Sequence, residues 1–449
     1  AAYYDADFKE TVEHIESAKS KLAYIEVKAK EKGYPLYLII DEYDNFTNVI
    51  LSEHGQRMFH DLTHASGFYR EYFKQFKGMF DRIFMMGVSP VTLDGLSSGY
   101  NIDWNISVDE IFNAMMGFEE AEVREMFRYY QQNDMLKGDV EAMITEMKPW
   151  YDNYCFARMS LNDDRVFNCD MTLYYLNYQV QRGRSPEEMV DKNIRTDYSK
   201  LKMLARIDRD SVQEGDRMST IEKIAAEGDI FVDLHTSFPA ERITDIDNFR
   251  SLLYYYGLLT MCGTRGDLIK MSIPNNCVRE QYFGFLRDYY QKYSSIDLHY
   301  LNVMLTNMAY DGCWKPFFES VAQAYRENSA VRDAMEGERN LQGFLKAYLA
   351  LASYYLVEPE LEMNYGYCDF FLLPHKKRYP DVKHSYILEL KYATRTATDA
   401  ELEVQALEGR NQLLQYSEDK IVRCLSEGTT LHRLLLQFRG WDLVRCEEV

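Results

Sequence analysis

Two short apolar runs lie near the C-terminal end of the chain. Residues 368–373 and 385–391 are rich in aromatic and branched side chains, and the loop between them holds two prolines and a basic cluster. This pattern predicts two strands joined as a β-hairpin. Because successive side chains of a strand point to opposite faces, Glu389 and Lys391 share one face of the second strand.

Helical patterns flank the hairpin on both sides. Residues 338–355 form a strongly helical run ahead of the first strand, and residues 400–416 form another after the second strand. The chain from residue 338 onwards is therefore predicted to contain two strands enclosed by two helices.

Two continuous apolar runs lie nearer the N-terminal end. Residues 35–41 and 82–88 predict strands that are buried on both faces of a parallel sheet. The first run ends in Asp41 and Glu42, and the second runs into Ser89. Open α/β sheets bind ligands at the C-terminal ends of their strands, so these three residues are candidates for a ligand site.

The middle of the chain is mainly helical. The helices predicted there and around the N-terminal strands cover residues 8–32, 53–76, 108–116, 119–132, 140–147 (ended by Pro149) and 278–328. Residues 249–275 predict a helix, a strand, a turn at 263–266 and a second strand, which resembles a winged-helix element. Such an element binds DNA or packs domains together, and its few basic residues, Arg265 and Lys270, favour packing.

Length and composition set limits on the architecture. A chain of 449 residues is expected to hold about two to four domains, and its 46% hydrophobic content is ample for packed cores. No apolar run approaches the roughly 18 residues of a membrane span, so no membrane partner is expected. The eight cysteines include no CxxC pair, which indicates neither a zinc ribbon nor a disulfide framework and fits a reducing, cytoplasmic location.

The net charge of −20 argues against a broad basic surface for nucleic acid. The charge is unevenly distributed: residues 338–449 hold 14 Lys and Arg against 17 Asp and Glu, a net charge of −3, and the remaining −17 lies in residues 1–337. The basic residues of the hairpin loop, Lys376, Lys377, Arg378 and Lys383, could form a local basic rim or a solvated loop tip.

The hairpin offers a pair of carboxylates. Asp369 lies near the start of the first strand, 20 residues before Glu389, and strand pairing could bring the two together. Carboxylates about 4 Å apart repel by about 4 kcal/mol at an effective dielectric near 20, so such a pair needs a cation. Oxygen ligands suit Mg²⁺, with Mn²⁺ as an alternative, and Lys391 could orient an attacking water. The other interpretation is an amphipathic hairpin in which Glu389 and Lys391 form a solvated ion pair.

An Asp followed across a hairpin by E-x-K resembles the core of the PD-(D/E)XK nuclease superfamily. The blocks GYCDFFLL, YILELK and QLLQY are similar to the nuclease module that closes a group of bacterial AAA-ATPase-like proteins. The resemblance implies metal ligation by Asp369 and Glu389, water positioning by Lys391, and supporting roles for Glu338 and Gln412. One departure is Cys368, which stands where the superfamily name has Pro.

Three further blocks are similar to the same AAA-ATPase-like proteins: LIIDEYDNF, MGVSPVTLDGLSSGYNI and WYDNYCF. The resemblance implies a Walker B motif in which Asp41 holds the Mg²⁺ of bound ATP, Glu42 polarises the hydrolytic water, and Ser89 is a sensor. No G-x-x-x-x-G-K-[ST] phosphate loop occurs in these residues. Since the chain begins with Ala1 and not Met, we expect a fragment that carries half of an ATPase site.

Together these patterns predict a multi-domain α/β protein. We expect a partial P-loop ATPase core of the AAA type at 1–117, a helical lid at 118–248, a winged-helix-like element with a helical connector at 249–337, and a restriction-endonuclease-like module at 338–449. The expected activity is Mg²⁺-dependent hydrolysis of DNA, coupled to an ATPase when ATP binds the full-length protein. The alternative is an NTP-regulated switch or scaffold whose nuclease fold recognises nucleic acid without cutting. The sequence leaves the oligomeric state open, a homo-oligomer included.

Overall fold

Helices and short sheets alternate along the chain. The computed structural model describes residues 4–5, 7–44, 76, 78–92, 104–191, 199–206, 214–239, 242, 245–291, 296–327, 337–352, 354–363, 366–376 and 378–449. The helices are α1 (Phe8–His14), α2 (Ala18–Lys32), α3 (Glu120–Gln132), α4 (Val140–Tyr151), α5 (Cys169–Arg182), α6 (Ser199–Arg206), α7 (Glu214–Glu227), α8 (Ile246–Tyr255), α9 (Asn276–Gln291), α10 (Leu298–Asp311), α11 (Lys315–Glu327), α12 (Glu338–Leu349), α13 (Asp399–Ser417) and α14 (Lys420–Leu425). The strands are β1 (Tyr37–Ile40), β2 (Arg82–Met85), β3 (Val91–Thr92), β4 (Phe118–Glu119), β5 (Val166–Phe167), β6 (Asp229–Val232), β7 (Phe238–Pro239), β8 (Thr260–Arg265), β9 (Leu268–Ser272), β10 (Tyr355–Met363), β11 (Gly366–Pro374), β12 (His384–Ala393), β13 (Thr430–Arg439) and β14 (Asp442–Glu448). The described residues thus form a mixed α/β protein with several small sheets.

The largest described sheet has five strands in the order β10-β11-β12-β13-β14. Strands β10, β11 and β12 are antiparallel neighbours, β13 joins β12 in parallel, and β14 closes the sheet antiparallel to β13. Strand β12 is therefore the central strand of this sheet. The smaller sheets pair β1 with β2, β3 with β7, β4 with β5, and β9 with both β6 and β8.

Both faces of the five-stranded sheet are buried. On one face Leu388 and Leu436 join the main hydrophobic core together with Phe344 of α12. On the other face Ile387 and Leu435 belong to a smaller cluster that includes side chains of α13. Burial from both sides explains why the predicted second strand reads as an almost continuous apolar run.

The N-terminal strands agree with the predicted parallel sheet but not with the predicted burial. Strands β1 and β2 pair in parallel, with Tyr37 opposite Arg82. Tyr37 and Ile39 are exposed, so the expectation of a strand buried on both faces is wrong for the part of the chain that the structure describes. The side chains of β1 alternate between exposed and half-buried positions, so only one face of this strand is covered.

Several predicted helix boundaries need correction. The helix predicted over 8–32 is broken at Ile15, whose extended backbone (φ −72°, ψ 122°) ends α1. The segment 108–116 contains only a short 3₁₀ turn, Glu110–Phe112. Pro149 lies inside α4 and does not end it, because the Asp152 N–H still donates to the Lys148 carbonyl at 3.2 Å and closes the last turn. The helix predicted over 53–76 lies outside the described residues, apart from Phe76.

Eight of the described strands were not predicted: β3, β4, β5, β6, β7, β10, β13 and β14. The helix predicted over 338–355 ends at Leu349, and β10 follows it as an edge strand of the described sheet. Pro359 and three glutamates interrupt the apolar pattern of β10, and proline is tolerated mainly in edge strands. The predicted helix–strand–strand succession of 249–275 is present as α8, β8 and β9, but β6 adds a third strand and β8 continues through Gly263 to Arg265.

The structure also bears on membranes and disulfides. Within the described ranges, none of the helices combines the length and the apolar character needed to cross a membrane. The eight cysteines are free thiols, as the absence of paired cysteine motifs in the sequence indicated.

Candidate active site

Strands β11 and β12 bring the two predicted carboxylates to the same end of the hairpin. Their ladder ends with Phe370 opposite Leu388, and one further step along this register leads to Asp369 and Glu389. At that step Asp369 turns its carboxylate to the neighbouring backbone, and its Oδ2 accepts a hydrogen bond from the Leu390 N–H at 2.7 Å. The Asp369 carboxylate is therefore held in a fixed orientation beside β12.

Glu389 and Lys391 form a buried ion pair. Lys391 Nζ lies 2.9 Å from Glu389 Oε1, and the two side chains are 17% and 5% exposed. This burial contradicts the interpretation of a solvated pair. The second oxygen, Glu389 Oε2, is buried and has no hydrogen-bond partner among the described residues. Burying a charged oxygen without a donor is costly, so the site has an acceptor position suited to a cation.

The protonation of this pair is shifted by its surroundings. Burial raises the pKa of Glu389 to about 7, the negative charge of Asp369 raises it as well, and Lys391 acts in the opposite direction. Burial acts to lower the pKa of Lys391, but the carboxylates of Glu389, Glu408 and Asp369 together outweigh burial and raise the pKa above its usual value. Glu389 therefore exchanges its proton near neutral pH, whereas Lys391 keeps its charge.

Helix α12 contributes two side chains from its first turns. Gln342 Nε2 donates to Asp369 Oδ1 at 3.1 Å. Glu338 is exposed at the start of the helix, and partial burial together with the charge of Asp369 raises its pKa, while Lys391 lowers it. The two residues lie one turn apart on the same helix face. Gln342 was not among the predicted site residues. The sequence does show that Gln342 lies four residues after Glu338, a spacing that places both side chains on one face of a helix.

Helix α13 contributes two more side chains from the opposite side of the sheet. Gln412 Oε1 is buried without a hydrogen-bond partner among the described residues. Burial raises the pKa of Tyr416 to about 12, and the charges of Glu389, Cys368 and Asp369 act in the same direction. Tyr416 follows Gln412 by one turn in the block QLLQY, but it was not among the predicted site residues.

A glycine in α13 makes room for the lysine of the site. A Cβ atom at Gly409 would lie 2.7 Å from Leu435 Cδ1 and 3.4 Å from Lys391 Cε. The first distance is shorter than a carbon–carbon contact allows. The absence of a side chain at Gly409 therefore lets α13 approach the sheet closely enough to hold the stem of Lys391 against it.

We expect Gly409→Ala to destabilise the protein by about 1–3 kcal/mol, because overpacking a filled core forces side chains out of place. The stem of Lys391 must shift as well. Urea unfolding measures the loss of stability. Gly343→Ala in α12 is the matched control, since its new Cβ would meet nothing closer than 3.6 Å. Equal behaviour of the two variants would contradict the packing role of Gly409.

The basic loop lies at the other end of the hairpin. Strand β11 runs from Asp369 towards Pro374, and the loop connects Pro374 to His384, so it leads away from the carboxylates. Lys376 donates to the carbonyl of Glu427, and the Arg378 guanidinium lies 5.3 Å from the centroid of the Tyr379 ring. The described basic residues therefore lie at the opposite end of the hairpin from the carboxylates, and the basic rim stays a prediction; Lys377 lies outside the described residues.

At the N-terminal sheet, Asp41 and Glu42 are exposed at the end of β1. Asp41 Oδ1 accepts from the Glu42 N–H at 2.9 Å. Glu42 adopts a left-handed backbone (φ 51°), which few residues other than glycine adopt. The two acidic side chains are thus presented by a constrained turn.

Ser89 is held by residues that sequence reasoning missed. Asp44 is buried, and its carboxylate accepts from the backbone N–H groups of Val88 and Ser89 at 3.2 and 2.6 Å. The Tyr43 hydroxyl donates to the Ser89 carbonyl at 2.5 Å. These bonds tie the segment after β2 to the segment after β1. The sequence feature that could have indicated this contact is Asp44 itself, the third acidic residue between positions 41 and 44.

The donor set suits a hard cation with few protein ligands. In the described ranges, no three His, Cys, Asp or Glu side chains are grouped to hold a metal ion. Mg²⁺ is usually bound through one or two carboxylates and keeps several waters. Asp369 and Glu389, with the buried Glu389 Oε2 lacking a donor, fit that requirement.

Comparison with known proteins gives matches at the two ends of the chain. Residues 336–448 match the family described as PD-(D/E)XK nuclease superfamily, and residues 2–97 match the family described as predicted AAA-ATPase. No curated protein and no solved structure matches the chain. The two family matches confirm the resemblance of the two ends of the chain; the block WYDNYCF, residues 150–156, lies outside both matched ranges. The chain carries an AAA-ATPase-like domain at its N-terminal end and a PD-(D/E)XK nuclease superfamily domain at its C-terminal end.

Proposed function

We propose that this protein is a Mg²⁺-dependent nuclease that hydrolyses phosphodiester bonds in DNA, with Mn²⁺ as a substitute for Mg²⁺. The observation that carries the proposal is the buried Glu389 carboxylate, which pairs one oxygen with Lys391 and leaves the other without a donor near Asp369. An ion pair with only a structural role does not require a second carboxylate, that of Asp369, close to Glu389.

Each residue of the site has a proposed role. Asp369 and Glu389 would hold the cation, which when bound supplies Lewis-acid stabilisation of the phosphate and a more acidic water. Lys391 keeps its proton and places a positive charge where the attacking water and the scissile phosphate meet. Gln342 and the Leu390 N–H fix the Asp369 carboxylate.

The remaining predicted residues support these groups. Glu338, at the start of α12, would orient waters of the metal shell, since its pKa responds to both Asp369 and Lys391. Gln412 has an unpaired buried oxygen that would accept a hydrogen bond from a bound water. These roles are typical of outer-shell groups that tune a metal site.

The direct test is cleavage of nucleic acid by the purified protein. Supercoiled plasmid, single-stranded DNA and single-stranded RNA are incubated with Mg²⁺, with Mn²⁺, or with EDTA. Metal-dependent cleavage of the DNA substrates supports the proposal, and preferential cleavage of RNA would correct the substrate. Binding of DNA without cleavage under any metal would favour the rival function, an NTP-regulated switch or scaffold.

We also propose nucleotide control through the N-terminal domain. Asp41 and Glu42, on the constrained turn after β1, would act on a bound ATP and its Mg²⁺, with Ser89 as a sensor. The proposed units are the ATPase core at 1–117, the lid at 118–248, the winged-helix-like element with its connector at 249–337, and the nuclease module at 338–449. Equilibrium dialysis with labelled ATP, on this chain and on one extended to include a phosphate-binding loop, tests this control.

A further inference from the structure

Helix α12 contains a lysine that is almost fully buried. Lys346 is 2% exposed and lies one turn after Gln342 and two turns after Glu338, on the same face of the helix. A buried ammonium group requires hydrogen bonds or charge partners to offset the loss of water. The contacts of the Lys346 side chain therefore indicate which helices and strands it holds together.

Lys346 contacts both a preceding helix and the strand of the site. Its Nζ donates to the carbonyl of Ala226, in the last turn of α7. The last carbonyls of a helix lack partners within it and carry partial negative charge, so an ammonium group is favourable there. The same Nζ lies 5.8 Å from the centroid of the Phe370 ring, within cation–π range, and Phe370 directly follows Asp369 in β11.

Close packing around Lys346 leaves α12 little freedom. At Gly343, a Cβ atom would lie 3.6 Å from the Glu222 carbonyl of α7, so the two helices approach closely. The Phe344 ring lies 5.0 Å from the ring of Tyr290 in α9, and the Tyr290 hydroxyl donates to Glu222 Oε1 at 2.9 Å. Helices α7 and α9 both precede the residues that match the nuclease superfamily.

We propose that Lys346 is a positioning residue for the nuclease site, anchoring α12 to the end of α7 so that Gln342 and Glu338 face Asp369. This inference rests on the proposed function. The anchor acts through the bond from Gln342 to Asp369, which fixes a proposed metal ligand. It also makes the nuclease site dependent on the helical region that precedes it in the chain.

The test compares three variants in the full chain. Lys346→Met removes the ammonium group and keeps the stem, Lys346→Arg keeps a buried cation, and Tyr290→Phe removes a buried hydrogen bond from the same helix contact without touching β11. The readouts are the Mn²⁺ dissociation constant by calorimetry, the Mg²⁺ concentration for half-maximal cleavage, and amide hydrogen exchange of residues 338–345. Urea unfolding gives the folded fraction of each variant.

Lys346→Met is expected to weaken Mn²⁺ binding by about 10-fold, to raise the half-maximal Mg²⁺ concentration similarly, and to speed exchange in the first turns of α12. Lys346→Arg should restore Mn²⁺ binding to within about threefold of the wild type. Tyr290→Phe should lower the urea midpoint and leave Mn²⁺ binding unchanged. Should Lys346→Met not fold, Lys346→Gln, which keeps a donor without charge, is expected to change Mn²⁺ binding in the same direction.

Two results would overturn the positioning role: unchanged Mn²⁺ binding in Lys346→Met, or an equal loss of Mn²⁺ binding in Tyr290→Phe. If the wild type binds Mn²⁺ but cuts no substrate, the proposed nuclease fails while the Mn²⁺ comparison still decides the role of Lys346. If the wild type does not bind Mn²⁺ at all, both proposals are overturned.

Discussion

Asp369→Asn is expected to lower the rate of Mg²⁺-dependent DNA cleavage by roughly 10³-fold, with little change in the fold. Asparagine keeps the size of the side chain and an oxygen that accepts from the Leu390 N–H, but it loses the charge that holds a cation. Lys391→Met should cause a loss of similar size, because it removes the ammonium group beside Glu389 and keeps the buried stem. Single-turnover cleavage of plasmid DNA at saturating Mg²⁺ measures both effects.

The control is an aspartate of the same module that lies away from the site. Asp381 is exposed in the loop between β11 and β12, at the opposite end of the hairpin from Asp369. Asp381→Asn should cut at the wild-type rate. If Asp369→Asn, Lys391→Met and Asp381→Asn all cleave equally, the activity comes from a contaminant or from another site, and the proposed chemistry fails.

The hairpin and its two helices could be predicted because their signals are local. Alternation in β12 placed Glu389 and Lys391 on one face, and the structure shows their ion pair. Helical periodicity likewise predicted α12 and α13 to within a few residues, except that α12 ends at Leu349 and β10 follows. Patterns of this kind depend on neighbours a few positions away in the chain, which a single sequence shows directly.

The contacts that complete the site could not be predicted in the same way. The bond from Gln342 to Asp369 and the space that Gly409 leaves for Lys391 depend on how helices dock on the sheet. No periodicity reports such docking. The distance of the basic loop from the carboxylates is different, because the antiparallel hairpin already requires residues near the outer ends of the strands to lie far from the connecting loop.

The contacts of the N-terminal sheet could not be predicted from local patterns either. Two apolar runs predicted strands of a parallel sheet, and β1 pairs with β2 in parallel, but the burial of these strands depends on elements that a local pattern does not reveal. Asp44 holds the backbone of Ser89 across a sequence separation of 45 residues. A carboxylate in a polar turn gives no sign of such a partner until the two strands are placed side by side.

Mn²⁺ affinity is expected to rise with pH by up to about 10-fold per unit between about pH 5.5 and 7, and then to level off. Burial and the charge of Asp369 raise the pKa of Glu389 to about 7, so below that pH the carboxyl must lose a proton before it can bind a cation. Because this pKa is higher in the folded protein than the usual value of 4.5, ionisation of Glu389 lowers the stability of the metal-free protein as pH rises through that range. A bound cation offsets that loss.

Calorimetry in buffers of different ionisation enthalpy measures both the Mn²⁺ affinity and the protons released on binding. Close to one proton per site should be released below about pH 6, and few above about pH 8. Glu389→Gln should abolish the pH dependence along with most of the binding. Glu338→Gln separates the contribution of the exposed carboxyl, whose pKa is also raised by partial burial and by Asp369, and should leave most of the pH dependence in place. Mn²⁺ affinity that does not vary with pH in the wild type would show that Glu389 is not a ligand, because a buried carboxyl with this pKa cannot bind a cation without releasing its proton.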